Sequence, residues 1–347
     1  MHILTNKLWQ ILLSPFSIVY GLAITLRNLL YDYRILTVHR IQGCPVICVG
    51  NITVGGTGKT PAVEYLADYL LSNNKKVAIL SRGYGRESTG TVLVSDGKRI
   101  CTTPRNSGDE PYLLATNLKG VVVVVENDRV AGAAFIKNKF HPDVIILDDG
   151  FQHRRLHRDA DIVLYDCSTP LGLPFTLPGG KLREPLWNLK RADMIWLSRT
   201  DQSIASSGCE KLKSRFRDIP FIQTRHAPSY LVSLPSFEKQ SLKWLTDKRV
   251  CIFSGIGNPA AFRRTVEDQK AQISGEIRFS DHHSYSKTDL IRLEQERHNS
   301  DADILLTTEK DAMRLRQLPI AHLPLYYLRI KLDLMNGTPS IQKLLKV

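Results

Sequence analysis

At 347 residues the chain exceeds the size at which a single hydrophobic core keeps growing, so two domains are the default. Its 43% hydrophobic and 23% charged content is that of an ordinary globular protein and excludes a disordered chain. Its 47 Lys and Arg against 34 Asp and Glu give a net charge of +13, which favours an anionic partner, whether nucleic acid, an anionic membrane or a phosphorylated substrate, without choosing among them.

The first element is apolar. LWQILLSPFSIVYGLAITL, between Lys7 and Arg27, is uncharged for 19 residues, long enough to approach a bilayer span. Gln10, Ser14, Pro15, Ser17 and Thr25 dilute it, and Pro15 kinks a helix. Arg27, Tyr31, Tyr33 and Arg34 follow at once and suit the headgroup level. The reading is a membrane-associated anchor helix within residues 1–34, lying in or dipping into the interface. A span, a helix buried in the protein core and a cleaved signal peptide are the alternatives, and no clear small-x-small cleavage site ends the run.

Past the anchor, buried-strand and helix patterns alternate. PVICVGN (45–51) reads as a strand, and TPAVEYLADYLLSNN (60–74) carries Val63, Leu66, Ala67, Leu70 and Leu71 at amphipathic helix spacing. KVAILSRGYG is a strand ending in a Gly-rich turn; VVVVVEN (121–127), DVIILDDG (143–150), DIVLYD (161–166) and MIWLSRT (194–200) are apolar runs ending in polar groups. Such runs suit parallel strands buried on both faces, with function at their carboxyl ends. Residues 224–242, rich in Ser and Pro, read as a linker, and a second series follows in 249–259, 276–285, 302–313 and 325–334. The expected class is therefore α/β: a P-loop NTPase-like parallel sheet flanked by helices over 35–223, the linker, and a smaller α/β domain over 243–347 closing over the active site. The six cysteines, Cys44, Cys48, Cys101, Cys167, Cys209 and Cys251, have no framework spacing and read as the reduced thiols of a cytosolic protein, with a metal site as the alternative.

Within this frame VGNITVGGTGKTP (49–61) sits between a buried strand and a helix N-terminus, where free N–H groups and the helix dipole favour anions. It departs from the standard phosphate-loop pattern, which asks for Gly where Thr53 stands. Thr53, Val54, Gly55, Gly56, Thr57, Gly58, Lys59 and Thr60 are the candidate nucleotide-binding residues: the glycines let the backbone wrap phosphates, Lys59 reaches the terminal phosphates, and the Thr60 hydroxyl suits Mg²⁺. Pro61 at the helix start needs no N–H. A purely structural Gly turn is the alternative. Asp148 and Asp149 follow an apolar strand as a Walker-B carboxylate does, although adjacent Asp residues also cap turns. Gln152 and His153 fall at the same sheet edge, and Arg154, Arg155 and Arg158 read as a solvated basic face.

GNITVGGTGKTP, LSRGYGR, NSGDEPYLLA, LDDGFQHRRLHRDADIVLYD, LPGGKLREP, FSGIGNPAAF, FSDHHSY and TTEKDAMRL together resemble the tetraacyldisaccharide 4'-kinase (lipid A 4'-kinase) family, in order, from about residue 40 to 315. The family's loop shares the departure at Thr53, and its membrane anchor matches the N-terminal segment. The resemblance implies transfer of the ATP γ-phosphoryl group, with Mg²⁺, to the 4'-hydroxyl of a tetraacylated glucosamine disaccharide 1-phosphate, at the cytoplasmic face of the bacterial inner membrane. It implies that Asp109 and His282 form the pair that accepts the hydroxyl proton, and that Arg82, Arg183 and Glu184 contact phosphate or substrate. A carboxylate beside an imidazole orients it and raises its basicity, which suits that role.

Taken alone, Asp109 reads equally as a helix N-cap, His283 competes with His282, and Arg82, Arg183 and Glu184 as surface or turn residues. Glu309 and Lys310 receive no role. A membrane-docked nucleotide-switch ATPase or GTPase is the rival reading; its guanine-reading motif is only approximated by Ser198-Arg199-Thr200-Asp201, which lacks the Lys. A nucleic-acid partner is not expected, because no interleaving of aromatic and basic residues accompanies the charge.

Overall fold

The computed structural model describes residues 7–168, 174–202, 206–234, 236–316 and 318–345. Residues 1–6 of the expected anchor and residue 235 of the expected linker lie outside them. Helices α1 (Lys7–Leu12) and α2 (Ser14–Asp32) come first, then β1 (Val46–Asn51), α3 (Lys59–Ser72), β2 (Val77–Ser81), β3 (Val92–Asp96), α4 (Pro104–Ser107), α5 (Asp109–Asn117), β4 (Val122–Val125), α6 (Arg129–Phe140), β5 (Val144–Asp148), β6 (Ala160–Asp166), β7 (Met194–Ser198) and α7 (Ser206–Arg215). The rest is β8 (Phe221–Ser233), β9 (Lys239–Gln240), β10 (Arg249–Ser254), α8 (Pro259–Glu267), β11 (Gln272–Arg278), α9 (Lys287–Asn299), β12 (Ile304–Thr308), α10 (Glu309–Leu315), β13 (Leu325–Asn336) and α11 (Thr338–Leu345).

All the strands join one sheet of order β11-β10-β12-β13-β8-β7-β6-β1-β5-β2-β4-β3, with β9 paired to β8. Pairing is parallel except at β8–β13, β3–β4 and β8–β9. The apolar strands expected from the sequence are present, and each half of the sheet is covered on both faces. On one half, Val63, Leu66 and Leu70 of α3 and Leu114 of α5 cover one face, and Ala133 and Ile136 of α6 with Leu212 of α7 cover the other. On the other half, Leu290, Leu293 and Met313 pack on one face, Phe262 and Val266 on the other.

Residues 224–242 are not a linker. Most of them belong to β8, a long strand running from its parallel pairing with β7 into a long antiparallel pairing with β13. Its composition hid it for two reasons. Only alternate side chains of its first half are buried, so no apolar run appears, and Pro228 sits where the pairing with β13 shifts register, a bulge that tolerates a missing N–H. Because β8 and β13 are antiparallel, the parallel strands of the two halves run toward each other. The carboxyl ends of β1, β2 and β5 therefore face those of β10 and β12 across one cavity of about 860 Å³.

Helix α2 is folded inside out. Its buried residues are Ser17, Gly21 and Asn28, while Phe16, Ile18, Val19, Leu22, Leu26 and Leu29 are exposed. Ser17 receives a bond from Gly179 N at 2.8 Å, its carbonyl accepts from Thr176 Oγ1 at 2.6 Å, and Asn28 donates to Glu184 at 2.9 Å. Among the described residues no helix is long and apolar enough to cross a membrane.

The cysteines depart from expectation at one pair. Cys167, just past β6, is disulfide-bonded to Cys209 of α7, a juxtaposition created by the fold across 42 residues of sequence. Cys44, Cys48, Cys101 and Cys251 are free thiols.

Candidate active site

The loop after β1 is built by pairing it with a second loop. Val54 N donates to Lys181 O at 2.9 Å and Arg183 N to Ile52 O at 2.8 Å, with Thr53 bridged to Leu182. Thr53 thus occupies a strand-like position with no positive φ, so no glycine is needed there. Gly58 does need to be glycine. Its φ is +86°, and a Cβ would lie 2.9 Å from His226 Nε2. The loop's far side is clamped by Asn51 Nδ2 donating to Thr57 Oγ1 at 3.0 Å, Ser198 Oγ to Thr57 O at 2.9 Å, and Arg199 Nη1 to Gly56 O at 3.1 Å. Ser198 and Arg199, the residues closest to a guanine reader, therefore hold the loop's backbone; Arg199 also pairs with Asp166 at 2.5 Å.

Opposite the helix start, Lys59 Nζ lies 3.6 Å from Asp149 Oδ1, and Arg183 Nη1 donates to both Asp149 oxygens at 2.9 and 3.0 Å. Burial opposes ionisation of Asp149, but Lys59 and Arg183 outweigh it and hold the carboxyl below its ordinary range. Asp148 differs. Burial, reinforced by the carboxylates of Glu110 and Asp149, pushes it up to about 7. Its Oδ2 accepts from Ser81 Oγ at 2.8 Å and its buried Oδ1 has no partner. Gln152 donates to Asn51 O at 3.0 Å, and His153 lines the cavity with its pKa lowered to about 4 by burial and then by Arg129. Arg82 and Thr60 line the same cavity.

Two sequence readings are corrected here. Glu184 does not face the cavity; it is fully buried and accepts from Asn28, Asn188 and Arg191 at 2.9, 2.8 and 2.7 Å, tying the Arg183 loop to α2. Arg154 and Arg158 are not a solvated face. Arg154 donates to Asn28 O and Asp32 at 2.8 and 2.7 Å, and Arg158 is paired with Asp161 at 2.9 Å with 8% of its side chain exposed. A buried cation needs such a partner. Arg155, more exposed, pairs with Asp128 at 3.0 Å.

On the facing wall His282 lines the cavity, and Asp109, which is outside the lining, stands beside it with Oδ2 3.8 Å from His282 Nδ1. Asp109 is the first residue of α5 and makes no capping bond; the N-cap is Gly108. Arg314 Nε donates to Asp109 Oδ2 at 2.5 Å, and its Nη1 to Gly255 O at 3.0 Å. Burial would raise Asp109, but the neighbouring His282 and the Arg314 charge hold its pKa below the ordinary value. Lys310 Nζ donates to Glu110 at 2.8 Å and lies 3.3 Å from His282 Nε2. Burial opposes the Glu110 charge as well, yet Lys310 and Lys59 hold it at about 2. Arg314 Nη2 lies 3.4 Å from His282 Nδ1, so each ring nitrogen faces a cationic donor. His283 turns elsewhere, to Asp289 at 3.2 Å. His282 and Asp149 both have φ near +60° and +52°, backbone that non-glycine residues rarely adopt and that clusters at functional sites.

Sequence reasoning missed Glu110, Arg314 and the part played by Lys310. The signal available was the spacing of Lys310 and Arg314, which at i and i+4 share one face of α10.

Comparison with known proteins identifies the family. The family profile described as LpxK, "Tetraacyldisaccharide-1-P 4'-kinase", matches residues 9–347. Curated relatives named tetraacyldisaccharide 4'-kinase include one from Geobacter metallireducens, 40% identical over 96% of this chain and 97% of its own length. Another, from Syntrophus aciditrophicus, is 40% identical over 93% of this chain and 89% of its own. Among solved structures, the "apo" form of LpxK from Aquifex aeolicus in complex with ATP has a TM-score of 0.79 and 36% identity, covering 97% of this chain and 98% of that one.

Proposed function

The chain belongs to the tetraacyldisaccharide 4'-kinase family and is an ATP-dependent kinase of lipid A biosynthesis; from this premise we propose how its own residues perform the transfer. The observation that carries the reading is that the glycine-rich loop with Lys59 and His282, whose Nδ1 lies 3.8 Å from Asp109, line one cavity.

The backbone N–H groups of residues 54–60 cradle the ATP phosphates, and Lys59 and Arg183 meet the charge that spreads over the γ-phosphoryl oxygens in the transition state. Asp109 and His282 accept the proton of the 4'-hydroxyl as it attacks. Arg314 keeps Asp109 ionised and oriented, and Lys310 fixes the imidazole. Arg82, Gln152 and His153 line the acceptor side of the cavity.

A divalent cation, when bound, neutralises phosphate charge. The residues suit Mg²⁺: the unpartnered buried Oδ1 of Asp148 and the hydroxyl of Thr60 would hold it. Asp149, whose oxygens already take Lys59 and Arg183, serves as the flanking carboxylate.

The outward apolar face of α2 lies in the headgroup region of an anionic membrane, at the cytoplasmic face of the bacterial inner membrane, where the acylated disaccharide 1-phosphate resides. Tyr20, Ile24 and Arg27 of α2 also line the cavity, which gives the lipid headgroup a path from the surface to the reacting groups. Residues 35–223 and 243–347 act as two lobes joined through β8 and β13. The test is incubation with γ-labelled ATP and the tetraacyl disaccharide 1-phosphate, with unlabelled GTP as competitor. Label is expected in the lipid phase and insensitive to GTP; label found only as free phosphate would overturn the reading.

A further inference from the structure

At the cavity floor lies a cluster of buried charges that neither the phosphate cradle nor the proton-accepting pair uses. Arg329 leaves β13 at its register shift against β8. Its Nη2 donates to Glu64 Oε1 and its Nη1 to Glu309 Oε2. The three side chains, Arg329, Glu64 and Glu309, are only 8, 10 and 11% exposed. The other oxygen of Glu309 accepts from Asn117 Nδ2 at 3.2 Å.

Each partner belongs to a helix that carries part of the site. Glu64 is on α3, which begins at Lys59; Glu309 is the first residue of α10, followed by Lys310 and Arg314; Asn117 closes α5, which opens with Asp109 and Glu110. One guanidinium, through one shared carboxylate, thus connects the helix gripping phosphate with both helices of the proton-accepting wall.

Burying such a cluster is costly, and well-packed apolar residues often stabilise a fold as much or more. Burial pushes Glu309 up to about 7 and raises Glu64 despite the Arg329 charge. Attraction alone is therefore a poor account of why ions stand here. What a planar guanidinium offers over any apolar group is two fixed donor directions, which set the angle and distance between the two carboxylates.

We propose that Arg329 is a positioning residue for phosphoryl transfer, fixing α10 against α3 so that Lys310 and Arg314 hold His282 and Asp109 at reacting distance from the phosphate on Lys59. This rests on the kinase reading. Misplacement by about 1 Å can cost about 10²-fold in rate, so the fixing can matter without any contact to substrate.

The test uses the full-length enzyme with Arg329→Met, which keeps bulk and removes the fork, and Arg329→Lys, which keeps the charge but reaches one carboxylate at a time. Steady-state kcat and lipid KM are measured beside equilibrium binding of a non-hydrolysable ATP analogue and thermal unfolding. Arg329→Met is expected to lower kcat about 10- to 100-fold, with analogue affinity within about threefold of the parent because the loop is untouched. Arg329→Lys is expected to fall between. Added to Lys310→Ala, Arg329→Met should cost little more, since it acts through α10. Parental kcat in a folded Arg329→Met enzyme, or losses that multiply with Lys310→Ala, would overturn the proposal. If Arg329→Met does not fold, Arg329→Lys carries the test: a several-fold loss of kcat with unchanged analogue binding supports the inference and parental kcat refutes it. An inactive parent would instead sink the kinase reading, which keeps the two failures apart.

Discussion

The phosphate wall of the cavity draws Lys59, Asp149 and Arg183 from one half of the sheet, and its loop is zipped to residues 181–183 and clamped by Ser198 and Arg199 of that same half. The facing wall takes Asp109 and Glu110 from that half but His282, Lys310 and Arg314 from the other. The first wall takes its phosphate-facing charges from one half alone. The second exists only while the two halves are apposed, since each of its carboxylates is paired with a cation from the other half of the sheet. Nucleotide binding and proton acceptance should therefore be separable by mutation, and only the latter should depend on groups that bridge the halves.

The largest effect should come from the bridging pair. Asp109→Ala, His282→Ala and the double variant are each expected to lose about 10²–10⁴-fold in kcat, with similar residual activity because the residues share one step. ATP-analogue affinity should stay near parental in all three. The pH profile sharpens the point. Asp109 is held below its ordinary pKa, so the stability its pairing contributes is present above the ordinary carboxylate range and lost as the pH falls through its lowered pKa. A decline of kcat between about pH 7 and 5 therefore cannot come from Asp109 protonation. Multiplicative losses would show that the residues do separate jobs.

Lys59→Ala probes the self-contained wall. Loss of one preorganised charge at the developing phosphoryl oxygens is expected to depress kcat by about 10²–10³-fold and, unlike the pair variants, to weaken ATP binding too, while thermal unfolding changes little. A folded Lys59→Ala enzyme with near-normal lipid phosphorylation would remove the loop from the mechanism.

Smaller again is Arg314→Lys. Arg314 spreads its donors over Asp109, the Gly255 carbonyl and Asp311, the last at 3.1 Å, which a single ammonium cannot reproduce. A fall in kcat of about tenfold is expected from the looser Asp109, with ATP affinity retained. A parallel loss of ATP affinity would mean that the two walls are not separable.

The same contrast explains what was legible in the sequence. The phosphate wall is local: strand, Gly-rich loop and Lys59 are contiguous, and the apolar runs of β5 and β6 identify buried parallel strands. The second wall needs contacts between distant stretches such as 109–110, 281–282 and 310–314, and residue type alone says nothing of them; the family resemblance supplied Asp109 and His282, while Glu110 and Arg314 emerged only from geometry. β8 was misread because a half-buried strand with a proline at its bulge has the composition of a loop. Glu184 was misassigned because a buried carboxylate that ties a loop to a helix and one that meets substrate look alike in sequence.

The smallest effect on chemistry should come from the outward apolar stripe of α2, which carries none of the reacting groups. Deleting residues 1–26 is an impure test, since it also strips Ser17 and Gly21 from the loop that carries Arg183, through Thr176 and Gly179. Leu22→Asp with Leu26→Asp alters only the outward stripe, where the two side chains are 65% and 59% exposed. Each leucine buried in an interface contributes up to about 1.5–3 kcal/mol, so losing both and adding charge should release the enzyme from vesicles of anionic phospholipid. Apparent KM for lipid presented in those vesicles should rise about tenfold or more. Turnover at saturating lipid should stay within about twofold of parental, because neither residue touches the reacting groups. The inward contacts of Ser17 and Asn28 should survive, so the melting temperature should hold. An unchanged vesicle-bound fraction would move the docking surface elsewhere on the molecule. A loss of kcat equal to the rise in KM would mean instead that α2 sets the geometry of the cavity it lines through Tyr20, Ile24 and Arg27, which would join the membrane-facing helix to the first wall rather than leave it a mooring.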